Sequence, residues 1–134
     1  MRYMLDTDIA SYAIRGDQPR LDARLAGLAP GEIIISAVTV AELHYGLARR
    51  PQATRLAQAV KAFLHYVDVV PFDAQVGEQY GKLRAQLEAG GTPIGDHDTM
   101  IAAGAIVAGT ILVTNNAAHF QRVPGLVLEN WMGA

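Results

Sequence analysis

The run Ile33-Ile34-Ile35 constrains this chain more than any other stretch. Three β-branched residues in succession suit an extended strand, and the lack of alternation with polar residues requires both faces of that strand to be buried. Tyr3-Met4-Leu5 and Ile111-Leu112-Val113 share the property, while Val67 to Phe72 holds a shorter strand closed by Pro71, and Val127-Leu128 suits an edge. Between these runs the apolar spacing is helical. Helices are expected from Ile9 to Arg15, after Pro19 (Leu21, Leu25 and Leu28 on one face), and after Ser36 (Val40, Leu43 and Leu47). Others are expected over Thr54 to Tyr66, Ala74 to Ala89 and about Asp98 to Ala108, with Gly109 as the last one's C-terminal cap. Doubly buried strands separated by helices predict an α/β fold whose central, mostly parallel sheet of roughly four to five strands is flanked by helices. At 134 residues the chain has the size of one domain, spanning 1–134.

The chain contains no cysteine, so disulfides, thiolate metal sites and a cysteine nucleophile are excluded. Any bound metal must then be taken by oxygen or imidazole, which favours a hard ion such as Mg²⁺ or Mn²⁺. Eleven Lys and Arg against thirteen Asp and Glu give a formal charge of −2, which argues against a nonspecific nucleic-acid binder. It leaves room for an enzyme whose bound cations meet phosphate groups locally. The opening MRYMLDTD lacks the apolar run of a signal peptide and no segment reaches membrane-spanning length, so a cytoplasmic protein is expected.

In a parallel sheet, ligands bind beyond the carboxyl ends of the strands. Asp6 ends the first strand, Glu42 lies on the helix after the second, Asp98 stands at a helix start, and Asn116 follows the strand ending at Val113. All four can converge on one edge. Structural roles compete: Asp6 or Asp8 could cap the first helix, and Asp96 the helix near Asp98. Glu42 resists that explanation, because a carboxylate within AVTVAELHYG is expected to be buried and to require a partner. Three carboxylates brought together would repel without a cation. The histidines, His44, His65, His97 and His119, show no metal-ligand spacing, and His97 and His119 are expected to be bystanders near the site. Asp17, Asp22, Asp68, Asp73, Glu78, Glu88 and Glu129 read as solvated surface.

Two resemblances use these residues differently. YMLDTDIA and IGDHDTM resemble the haloacid-dehalogenase phosphatases, which would make Asp6 a nucleophile and Asp8 a general acid. That family also needs a loop lysine, whereas Lys61 and Lys82 fall within expected helices, and it gives Glu42 no role. MLDTDIASY, ISAVTVAELHYGLAR and GTPIGDHDTMIAAGAIVAGTILVTNNAAHFQRVPGLVLENW resemble, in order and spacing, the PIN-domain ribonucleases, in particular the VapC toxins. This second resemblance spans nearly the whole chain.

It implies a PIN-like domain whose metal ligands are Asp6, Glu42 and Asp98, with Asn116 standing where many relatives carry a fourth acid. Thr7 and Thr114 match hydroxyl positions that orient the acids or a water, and Asp8 has a supporting place. Asp96 matches no family acid and keeps a capping or rim role. With an amide at 116 a second ion should bind more weakly. The resemblance implies a Mg²⁺-dependent endoribonuclease, with Mn²⁺ able to substitute, that cuts RNA such as initiator tRNA. Arg15, Arg49, Arg50 and Arg84 are the candidates for gripping RNA. The implied partners are a VapB-type antitoxin, a second copy in a homodimer, and operator DNA through the antitoxin. A small phosphatase and a catalytically inactive PIN-like binding module are the alternatives.

Overall fold

The computed structural model describes residues 1–133. The five strands are β1 (Tyr3–Leu5), β2 (Ile33–Ser36), β3 (Asp68–Val70), β4 (Ile111–Val113) and β5 (Leu128–Glu129). They form one parallel sheet in the order β3-β2-β1-β4-β5. The helices are α1 (Thr7–Arg15), α2 (Pro19–Ala26), α3 (Ala37–Ala48), α4 (Thr54–Tyr66), α5 (Ala74–Ala89), α6 (Asp96–Ala108) and the short α7 (Ala117–Phe120). A single 3₁₀ turn, Pro30–Glu32, precedes β2. Among the described residues no helix is long and apolar enough to cross a membrane.

Strand periodicity explains the continuous apolar runs. Met4, Ile34 and Leu112 are fully buried against one helical layer that includes Leu83 and Leu87 of α5 and Ile101 of α6. Their neighbours Leu5, Ile35 and Val113 are equally buried on the opposite face, against Ile9 of α1, Leu21 of α2 and Trp131. Successive side chains of each strand thus enter two different cores.

The strand order also decides where a ligand can sit. From β1 the chain winds outward through β2 and β3, then returns through α5 and α6 to place β4 on the other side of β1. The connections leave in opposite directions at β1 and β4, which opens a crevice beyond their carboxyl ends. Asp6 follows β1 and Thr114 follows β4 at this point, and the Asp6 amide donates to Val113 O at 3.1 Å.

Several boundaries differ from expectation. α1 begins at Thr7 rather than Ile9, because Asp6 caps it two residues early: its Oδ1 accepts from the Ile9 amide at 2.8 Å. α6 begins at Asp96 rather than Asp98, with Gly95 (φ 93°) as its N-cap and no side-chain cap. The capping role expected of Asp96 is therefore wrong; its carboxylate lies 3.3 Å from Arg84 Nη1. Gly109 does close α6 in the left-handed conformation, at φ 67°. The last strand is Leu128–Glu129, one residue later than expected.

Ile34 lies in the second strand from the edge and has no exposed surface. Ile34→Ala should therefore cost about 2–5 kcal/mol, read in urea denaturation as a lower midpoint with an unchanged m-value.

Candidate active site

Four segments that are remote in sequence meet in the crevice. Asp6, Thr7, Asp8, Glu42, Asp98, Asn116 and Phe120 line a cleft of about 250 Å³. The acids expected to converge, Asp6, Glu42 and Asp98, do so, and Asn116 joins them.

Each acid is held by specific partners. Asp6 is 5% exposed and takes hydrogen bonds from the Ile9 amide and the Thr114 hydroxyl. The same Thr114 oxygen accepts from the Asn116 amide at 2.9 Å, which fixes the turn after β4. Glu42 Oε1 accepts from the Thr7 hydroxyl at 2.7 Å, and Glu42 Oε2 lies 3.3 Å from His97 Nδ1. Thr7 has one hydroxyl proton, which the bond to Glu42 uses, so the contact of 3.0 Å with Thr39 Oγ1 has Thr39 as donor. Asp98 Oδ2 is 2.9 Å from His119 Nε2, and the His119 ring meets Phe120 edge-on.

Three expectations need correction here. Glu42 is not enclosed among apolar residues; its side chain is 31% exposed, because α3 turns that face toward the crevice. His97 and His119 are not bystanders, since each contacts one of the acids. Of the acids read as solvated surface, Glu129 is half-buried and accepts from the Trp131 indole N–H at 2.8 Å, while Asp73 is exposed as expected and also caps α5 through the Val76 amide.

The basic candidates divide. Arg15, Arg49 and Arg50 line a groove between α1, α3 and α4 that shares Thr7 and Glu42 with the acid cleft. Arg84 lines neither; it lies on α5, bonded to Tyr80 and paired with Glu88 and Asp96. Thr39 and Phe120 are the site neighbours that sequence reasoning did not place, and for His97 and His119, expected nearby, it did not give the contacts with Glu42 and Asp98. Thr39 had a usable signal, standing one helical turn before Glu42. The histidine contacts span 55 and 21 residues and leave no local trace.

Electrostatics show the cost of this crowding. Burial is the main cause that lifts the Asp6 carboxyl from 3.8 to about 6. The bonds from Thr114 and Ile9 oppose the rise, and the charges of Asp8 and Asp98 add to it. Asp98 is also raised, first by burial; His119 opposes the rise, while Glu42 and Asp8 reinforce it. Mutually repelling hard oxygens suit a divalent cation. Among the described residues no three acids or histidines stand close enough to enclose one ion. An ion such as Mg²⁺ keeps several waters and needs only one or two carboxylates.

A family model described as PIN domain matches residues 3–126. The chain belongs to the PIN-domain family. This PIN domain is 39% identical over 132 residues to Ribonuclease VapC2 of Rickettsia felis, covering 98% of each chain. It is 37% identical over 131 residues to a tRNA(fMet)-specific endonuclease VapC of Shigella flexneri, again with 98% of each covered. In the crystal structure of VapBC2 from Rickettsia felis bound to a DNA fragment from its promoter, one chain matches with a TM-score of 0.90 at 39% identity. The match covers 98% of this PIN domain and 99% of that chain. The phosphatase resemblance loses its support, and Lys61 and Lys82 do lie within helices α4 and α5.

The raised Asp6 carboxyl makes stability depend on pH. The folded protein keeps this proton to about pH 6, whereas the unfolded chain releases it near 3.8. Its contribution is complete below 3.8 and is lost as pH rises through 6. Denaturant titrations of metal-free protein across this window should lose on the order of 3 kcal/mol, and Asp6→Asn, which retains the cap, should remove most of that slope.

Proposed function

We propose that this PIN domain is a Mg²⁺-dependent endoribonuclease toxin of the VapC kind, with Mn²⁺ able to replace Mg²⁺. Its substrate is RNA, with initiator tRNA the leading candidate from the name of the Shigella flexneri relative. Its activity is blocked by a VapB-type antitoxin, through which the pair reaches operator DNA, in keeping with the DNA-bound VapBC2 complex. The protein acts as a homodimer, joined by antitoxin into a hetero-oligomer. The observation that carries the ribonuclease reading is the meeting of Asp6, Glu42 and Asp98 at the crevice between β1 and β4, where burial raises the carboxyl pKa of both Asp6 and Asp98.

Of Asp6, Glu42 and Asp98, one or two would hold the ion directly and the remainder through its waters. When bound, such a cation lowers the pKa of a water and offsets charge on the scissile phosphate. The chain's own residues set the geometry. Ile9 and Thr114 fix Asp6, Thr7 and His97 fix Glu42, and His119 fixes Asp98. The Thr7 proton is committed to Glu42, so Thr7 supports that acid instead of attacking phosphate, and hydrolysis uses water. Asn116 adds a neutral amide to the cleft, which leaves less charge for a second ion.

Cleavage of tRNA(fMet) by purified protein, with Mg²⁺ or Mn²⁺ and with a chelator, tests this directly. Glu42→Gln and Asp98→Asn should each reduce cleavage on the order of a hundredfold or more with the fold intact by circular dichroism. Asp8→Asn should keep much of the activity, and Asp96→Asn should lose only its pairing with Arg84. Inert protein with both metals would favour the binding-module reading.

A further inference from the structure

The groove beside the acid cleft has a composition the catalytic reading does not use. It encloses about 270 Å³ between α1, α3 and α4. Leu47, Leu56 and Val60 give it an apolar floor, and Arg15, Arg49 and Arg50 stand at its rim. Among the described residues none of these three arginines has a carboxylate partner, although the chain carries more acids than bases. Two of them are nevertheless held in place. The Arg15 guanidinium sits 4.8 Å above the Tyr12 ring, and that of Arg49 sits 5.1 Å above Tyr45.

Gly46 supplies an independent observation. It lies inside α3, where glycine is a poor helix former, and it lines the groove. A Cβ built there would meet nothing within 4 Å. Packing therefore gives no reason for its small size, and a side chain at 46 would project into empty groove.

Apolar walls with fixed cations at the rim suit a group that is flat and apolar in the middle and anionic at its edges. Thr7 and Glu42 line both the groove and the cleft, so an occupant of one continues directly into the other. We propose that the groove seats one unstacked base of a single-stranded RNA, next to the scissile phosphate, while Arg15, Arg49 and Arg50 take the flanking phosphates. This rests on the ribonuclease reading above. It implies a substrate cut in a loop or an unpaired segment, because drawing a base out of a duplex costs stacking and pairing energy that an unpaired base does not owe.

The test titrates full-length protein, in the presence of a chelator, with a short single-stranded oligoribonucleotide carrying 2-aminopurine. The parent protein should bind it with a change in fluorescence as the base leaves its neighbours, and the same sequence in a duplex should compete poorly. Gly46→Leu should weaken binding about tenfold or more and abolish the fluorescence change, with Tm equal to or above that of the parent. Arg49→Ala with Arg50→Ala should reduce the slope of log affinity against log salt by about 1.4. Absence of binding by the parent, equal competition by the duplex, or unchanged affinity in Gly46→Leu each overturns the proposal. Gly46→Leu that releases a co-expressed antitoxin while binding RNA normally would assign the groove to the protein partner and also overturn it. If the parent cuts no RNA with Mg²⁺ or Mn²⁺ yet Gly46→Leu still loses RNA binding, the ribonuclease reading fails and the groove assignment stands.

Discussion

A carboxylate buried at the end of the central strand is the constraint on which the rest of the site depends. Asp6 has almost no exposed surface, and burial alone would drive it to the neutral acid. The fold counters this with the Ile9 amide in the first turn of α1 and the Thr114 hydroxyl presented from the end of β4. Those contacts fix where α1 starts, how β1 and β4 are joined at their ends, and which way the acid points. The residual rise is the cost of holding this carboxyl buried, with Asp8 and Asp98 nearby.

Glu42 and Asp98 reach the same point by different routes, and their surroundings divide the work. Glu42 is positioned through two threonines, the second of them, Thr39, fully buried on the same helix. Asp98 gains from its position in the first turn of α6, where the helix dipole favours an anion, and from His119 across the cleft. None of the three is oriented by its own backbone alone, and each draws on an element that arrives from elsewhere in the chain.

Much of the fold was legible because the informative patterns are local. Ile33-Ile34-Ile35 and Ile111-Leu112-Val113 can be satisfied only by burial on both faces, and that requirement selects helices over a parallel sheet. From there, the ends of strands name the acids. What was not legible depends on pairings between distant segments. Asp96 looked like a cap because its spacing suited one, yet Gly95 takes that position and the carboxylate turns to Arg84 on α5. His97 and His119 carry no motif, and only the return of α6 and α7 to the sheet edge brings them to Glu42 and Asp98. Helix α7, at four residues, is too short to show a period.

The sheet order has a consequence for timing. β1 is made first but lies in the middle, with Tyr3 paired to Ile33 on one side and to Ile111 on the other. Asp6 cannot acquire its Thr114 partner until the more than one hundred residues between them have been made. A nascent chain therefore carries its first acid from the outset without the crevice that gives it meaning. Whatever chemistry this cleft performs begins only after the chain as far as Phe120 has been made and folded back onto β1.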